Sequence, residues 1–185
     1  MTTLYVITRV ITYFGTEMRT FLEHIMCRVF GIVAEDVRSF KSSELCGHVE
    51  HELTQSLGQA FFMCFVPFTV NFILGCCLLL TGSYRLFYVG DLKSFISYVM
   101  LWLGISLLAN CSPSFEDALS FKDYLYGGKN VFLKIILSPF FAVAYICAFL
   151  ERYSVTFVLT VIFSAVFPYL FSFVFPLIDK LFPTV

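Results

Sequence analysis

Charge is scarce in this chain: Asp, Glu, Lys and Arg make up 14% of its 185 residues and the formal net charge is -1. A nucleic-acid-binding surface needs clustered Lys and Arg, so that function class is excluded. The sequence has no Gly-rich phosphate loop, no GxSxG elbow, no redox CxxC and no HExxH. Nucleotide-loop, serine-hydrolase, thioredoxin-like and ordinary zinc-peptidase chemistry therefore lack their signature residues. Internal repeats and low-complexity tails are also missing, which leaves a single domain over 1–185 as the simplest organisation. No small-residue cleavage site follows the first apolar stretch, and Arg9 interrupts it, so the N-terminal segment is expected to be retained. Seven cysteines define no disulfide framework: Cys64, Cys76 and Cys77 lie in an apolar run, and only Cys46 and Cys111 flank polar loops.

Apolar residues are abundant. With 59% hydrophobic residues, 24 Phe and a mean hydropathy of +0.86, the chain has too much apolar surface for a soluble domain of this length. Residues 60–80 form the clearest bilayer-length run, broken only by Thr69 and Asn71. A second covers 154–178, with Pro168 and Pro176 inside it. Residues 95–111 and 131–150 are shorter or less clean, and Lys134 sits where it can snorkel. The expected fold is an all-α integral membrane protein in contact with the lipid bilayer. It has about five membrane helices, near 4–32, 57–82, 94–111, 131–150 and 154–179, with polar loops at 33–56 and 112–130. Within the first loop, 33–40 and 45–51 are short enough for strands around a turn at 41–44, which predicts a small hairpin.

The N-terminal helix is the least ordinary. Arg9, Glu17, Arg19, Glu23, His24 and Arg28 would be costly against lipid, so they must face protein, water or the interface. At 100° per residue, Thr12, Thr16, Arg19, Thr20, Glu23 and Cys27 gather on one face, with Arg9 nearby. Arg19 and Glu23 stand one turn apart, a spacing at which a buried pair neutralises itself. That spacing is consistent with a structural ion pair as well as with a functional site.

Further residues carry a resemblance. Tyr13-Phe14-Gly15-Thr16, Cys27-Arg28-Val29-Phe30-Gly31 and Gly47-His48-Val49-Glu50-His51-Glu52 occur in an order similar to "PGT, two residues, HELAH, CRLFG, GYV, one residue, HE". This is the pattern of a family of small membrane-embedded zinc metalloproteases related to the site-2 protease clan. Ser56 to Phe61 and Val66 to Asn71 are similar to that family's "SFWQAF" and "GPFLVN", and Trp102 to Ala118 to its "WLGIS…HAFPS…DA". The resemblance runs from about Tyr13 to Ala118. It places Arg19, Thr20 and Glu23 at the first His, the Glu and the second His of HExxH, and Asn110 at a further histidine. In a zinc peptidase the two histidines bind the metal and the Glu takes a proton from metal-bound water. Arg19 has no lone pair to donate and stays protonated, and Thr20 is no general base.

What the resemblance implies is a protease scaffold without its metal chemistry, with no cofactor. It would serve as a structural, regulatory, helix-binding or lipid-binding subunit whose partner is another membrane protein or a transmembrane helix. Its vacated positions are Arg19, Thr20, Glu23 and Asn110, and Asn71 and Asp117 are candidates for the cleft. Two alternatives stay open. One is an intramembrane zinc peptidase with an atypical ligand set drawn from Glu23, His24, His48 and His51. In an extended hairpin, however, the spacing of His48 and His51 puts them on opposite faces. The other is a small channel or transporter, against which the ionisable residues cluster in one helix instead of recurring through the bundle.

Overall fold

The computed structural model describes residues 2–36, 46–128 and 130–172, together with Pro176 and Lys180. It is all-α apart from one two-stranded ribbon. In chain order come α1 (Thr2–Ile11), α2 (Tyr13–Phe30), β1 (Ala34–Asp36), β2 (Glu50–His51) and α3 (Leu57–Ser83). A π-helical turn (Tyr84–Tyr88) extends α3, and α4 (Phe95–Ala109), α5 (Phe115–Gly127), α6 (Val131–Arg152) and α7 (Val155–Phe171) follow.

Among the described residues two helical runs, Leu57–Phe87 and Val131–Arg152, are long and apolar enough to cross a membrane, and Phe95–Ala109 and Val155–Leu170 are shorter apolar helices. The expected N-terminal helix is two helices, broken at Thr12, where φ is -103° and ψ 39°. The Thr12 hydroxyl donates to the Thr8 carbonyl at 2.7 Å, and its own carbonyl accepts from outside the helix, so local and cross-helix bonds compete with the ladder. At the other end α2 closes on Gly31, whose φ of 67° suits glycine, with Gly31 N–H donating to Arg28 O and Ile32 N–H to Cys27 O.

The ribbon expected after the first helical segment is present, β1 pairing antiparallel with β2 through Ala34–His51 and Asp36–Glu50. The turn assigned to 41–44 lies outside the described residues, as do most positions of the last predicted helix beyond 172. The stretch expected as a second polar loop, 112–130, is instead mostly helix. Ser114 caps α5 by accepting from the Asp117 N–H, and Ala118, Phe121 and Leu125 form its buried stripe, Phe121 and Leu125 packing with Ala60 and Cys64 of α3. Glu116, Lys122 and Asp123 on the outer face make that segment look like loop by composition.

The longest packed contact is α3 on α4, built on glycine. A Cβ at Gly104 would lie 2.7 Å from the Leu79 nitrogen and 3.0 Å from the Gly75 oxygen, so the two backbones approach as no larger residue allows. Beyond it Leu79, Leu108 and Phe167 form the core shared with α7. The α3–α4 contact brings Asn71 to Asn110, which meets the N-terminal helices.

Candidate functional site

The polar centre is assembled first by hydroxyls. Gly15 lies in the first turn of α2, where its N–H has no partner within the helix, and donates instead to Ser106 Oγ at 2.8 Å. Ser106 in turn donates to the Thr12 carbonyl at 2.9 Å, and the Asn110 amide donates to Thr12 Oγ1 at 2.8 Å. A Cβ at Gly15 would collide with the Ser106 carbonyl, so the Gly-Thr pair of the sequence is what lets α2 sit directly on α4.

On that seat stands a buried charge network drawn from α1, α2, the segment before β2, and α6. Arg19 Nε donates to Glu23 Oε1 at 2.8 Å, and Arg19 Nη1 donates to the Asn110 carbonyl at 3.1 Å. The same Nη1 lies 3.6 Å from Glu151 Oε2. Arg9 pairs with Glu151 and also donates to Asn110 Oδ1 and to Tyr5 Oη. Tyr5 Oη donates to the Cys46 carbonyl at 3.0 Å. None of these four charged side chains is more than 5% exposed. Two guanidiniums face two carboxylates, so the cluster is neutral. Such burial is tolerable only because nearly every hydrogen-bonding position is filled.

His48 lies between the two carboxylates. Its Nδ1 is 3.0 Å from Glu23 Oε1 and its Nε2 3.3 Å from Glu151 Oε1. Burial lowers its pKa, the Arg19 guanidinium lowers it further, and the pull of Glu23 only partly offsets them, leaving it at about 4. Neutral His48 then donates through Nδ1 to Glu23, the nearer oxygen. The carboxylates occupy opposite edges of the ring, so a metal on either nitrogen would meet only one of them. Among the described residues no three His, Cys, Asp or Glu side chains converge as a metal site.

The second histidine of the ribbon has a different partner. His51 Nε2 meets Asp117 Oδ1 at 3.0 Å, and Asp117 also takes the Ser114 hydroxyl at 2.7 Å. Burial opposes protonation of His51, but the hydrogen bond and charge of Asp117 outweigh it and raise the pKa to about 9. His48 is thus neutral and His51 charged at neutral pH, three positions apart in the chain. His24 joins neither; it is half-buried and its Nδ1 has no hydrogen-bond partner.

Of the residues singled out in the sequence, Arg19, Glu23, Asn110 and Asn71 come together, Asn71 Nδ2 donating to the same Asn110 carbonyl at 3.4 Å. Thr20 is buried beside them and donates to the Thr16 carbonyl at 3.0 Å. Asp117 belongs to the His51 pair. His48, named in the sequence only as a member of the alternative ligand set, is part of the centre. The ionisable residues are also not confined to one helix, because Glu151 arrives from α6. Sequence reasoning left out Tyr5 and Glu151 and gave Arg9 no partner. The available signal was Arg9 itself, a cation on the polar face with no acid one turn away, and Glu151, the first acid after a long apolar run.

Both Glu23 oxygens are engaged, Oε1 by Arg19 and His48 and Oε2 by the Val49 N–H at 2.9 Å. No family model matches the chain, and no curated protein or solved structure is significantly similar to it.

Proposed function

We propose that this chain is a multi-pass membrane protein built on a metalloprotease-like scaffold, in which an internal ion-pair network stands where a metal centre would be. It acts as a non-catalytic subunit that holds a membrane helix or lipid. The membrane part of this reading draws on an inverted distribution of polarity. Arg9, Arg19, Glu23, His48 and Glu151 are buried, while Val131, Phe132, Ile135 and Tyr169 are each at least 67% exposed. In water that outer surface would be a large unpartnered apolar patch. In a bilayer it is the expected exterior, and charged groups at depth are expected to pair inside.

The observation that carries the non-catalytic part is the Arg19 guanidinium. It lies against Glu23, the Asn110 carbonyl and Glu151, a position where a fixed cation balances two carboxylates. Arg19 and Glu23 occupy the positions that the family resemblance gives to metal-binding histidines.

The test is metal content. Protein purified from membranes without added metal or chelator is expected to carry far less than one zinc per chain. Stoichiometric zinc that disappears on Glu23→Ala or His48→Ala substitution would overturn the reading in favour of an atypical metallopeptidase.

A further inference from the structure

We infer that Arg9 and Arg19 form a carboxylate-binding site that Glu151 fills from within the chain, and that a free monocarboxylate takes it when that side chain is absent.

The two carboxylates of the centre are held differently. Glu23 is fixed by its own helix, pairing with Arg19 one turn away and accepting the Val49 backbone N–H. Glu151 has no such local anchor in the centre. It is the penultimate residue of α6, a helix that packs chiefly on α5 and α7, and its side chain reaches the N-terminal helices from outside. Around Oε1 stand Arg9, Tyr5 Oη at 3.4 Å and His48 Nε2 at 3.3 Å. Oε2 makes no hydrogen bond and lies 3.6 Å from Arg19. A carboxylate brought to two guanidiniums by a separate element is the geometry of a bound ligand, and arginine forks suit that planar anion.

The site also borders a small cleft. Tyr5, Arg9, Asn110, Glu151, Ser154 and Phe157 line it between α1 and the α6–α7 junction; it is partly open to the surface, has room for about one water, and would be enlarged by cutting back the Glu151 side chain. Charge selects the ligand class. With the Glu151 carboxylate removed, two guanidiniums face only Glu23, leaving one uncompensated positive charge beside a vacancy of carboxylate shape. A monoanion of that size restores neutrality. A neutral molecule would not, and a phosphate dianion would overshoot in charge and volume.

Glu151→Ala removes Cγ and the carboxylate, the same heavy atoms that acetate carries. The melting temperature of the full chain in detergent is expected to fall by roughly 10 °C in chloride buffer, as for a buried pair losing one partner. On the order of 100 mM acetate or formate at matched ionic strength should recover at least half of that fall, saturably, as mass action requires. Glu151→Gln leaves no space and is expected to melt at the same temperature in both buffers. Adding Arg9→Gln to Glu151→Ala should abolish the recovery. The inference is overturned if chloride and acetate act alike on Glu151→Ala, if Glu151→Gln recovers equally, or if Glu151→Ala is lost even when produced in acetate. It does not depend on whether the centre is catalytic, since zinc content and carboxylate rescue are read separately.

Discussion

Arg19 and Glu23 stand one turn apart on α2, joined Nε to Oε1 at 2.8 Å and almost wholly shielded from solvent. The pair is not self-sufficient. Glu23 also receives the Val49 N–H and lies against His48, which ties α2 to the segment leading into β2, while Arg19 reaches across to the Asn110 carbonyl at the end of α4. Each member therefore has obligations outside the pair, and those obligations decide what substitution does.

Arg19→Met strands a buried carboxylate and is expected to cost about 3–5 kcal/mol. Arg19→Met combined with Glu23→Gln should cost less, because Gln keeps an acceptor for the Val49 N–H without a charge to compensate. Denaturant unfolding of the two variants checks this. An equal or larger loss in the double variant counts against the ion pair as the organising contact.

The His51–Asp117 contact links the ribbon to the start of α5 and titrates in the opposite sense to His48. Because the folded pKa of His51 is raised to about 9 from 6.5, its contribution is fully present below about pH 6.5. It is lost as pH rises through about 9. Melting temperature followed from pH 6 to 10 should fall across that window in the wild type, and Asp117→Asn should remove this component. Superimposable profiles would show that the contact contributes nothing.

Gly104→Ala is expected to cost about 1–3 kcal/mol, because the new methyl meets Leu79 and Gly75 backbone atoms that cannot rotate away. Gly58→Ala, in the first turn of α3 with nothing within 4 Å, is the matched comparison and should be neutral or stabilising by about 0.5 kcal/mol. Both are read by unfolding in the same detergent.

Much of the helical layout was legible because it rests on local chemistry. A long apolar run marked α3, and the spacing of Arg19 and Glu23 is a property of one helix; the order of the last two helices by length is reversed, since among the described residues Val131–Arg152 is the bilayer-length one and Val155–Leu170 the shorter. Asn110 was reached only through resemblance; its carbonyl lies against Arg19. What stayed hidden depends on long-range pairing. Glu151 beside Arg152 at the end of an apolar helix looks like an interfacial charge, and only Arg9, far away in the chain, makes it a buried one. The α5 stripe was legible in principle, from Ser114 and Asp117 to Ala118, Phe121 and Leu125, but polar neighbours on the outer face masked it. His48 was named only as a candidate metal ligand, and its place between Glu23 and Glu151 stayed unread because an alternating pattern says which face a residue takes and not that one face closes over a charge cluster.

The break at Thr12 has a geometric effect of its own. An unbroken helix would set Arg9 and Arg19 about 15 Å apart along one axis and about 80° apart around it. With the irregular turn at Thr12 between α1 and α2, both cations reach the same carboxylate of α6. The irregular turn thus works as a pivot: it trades the register of one helix for the convergence of two.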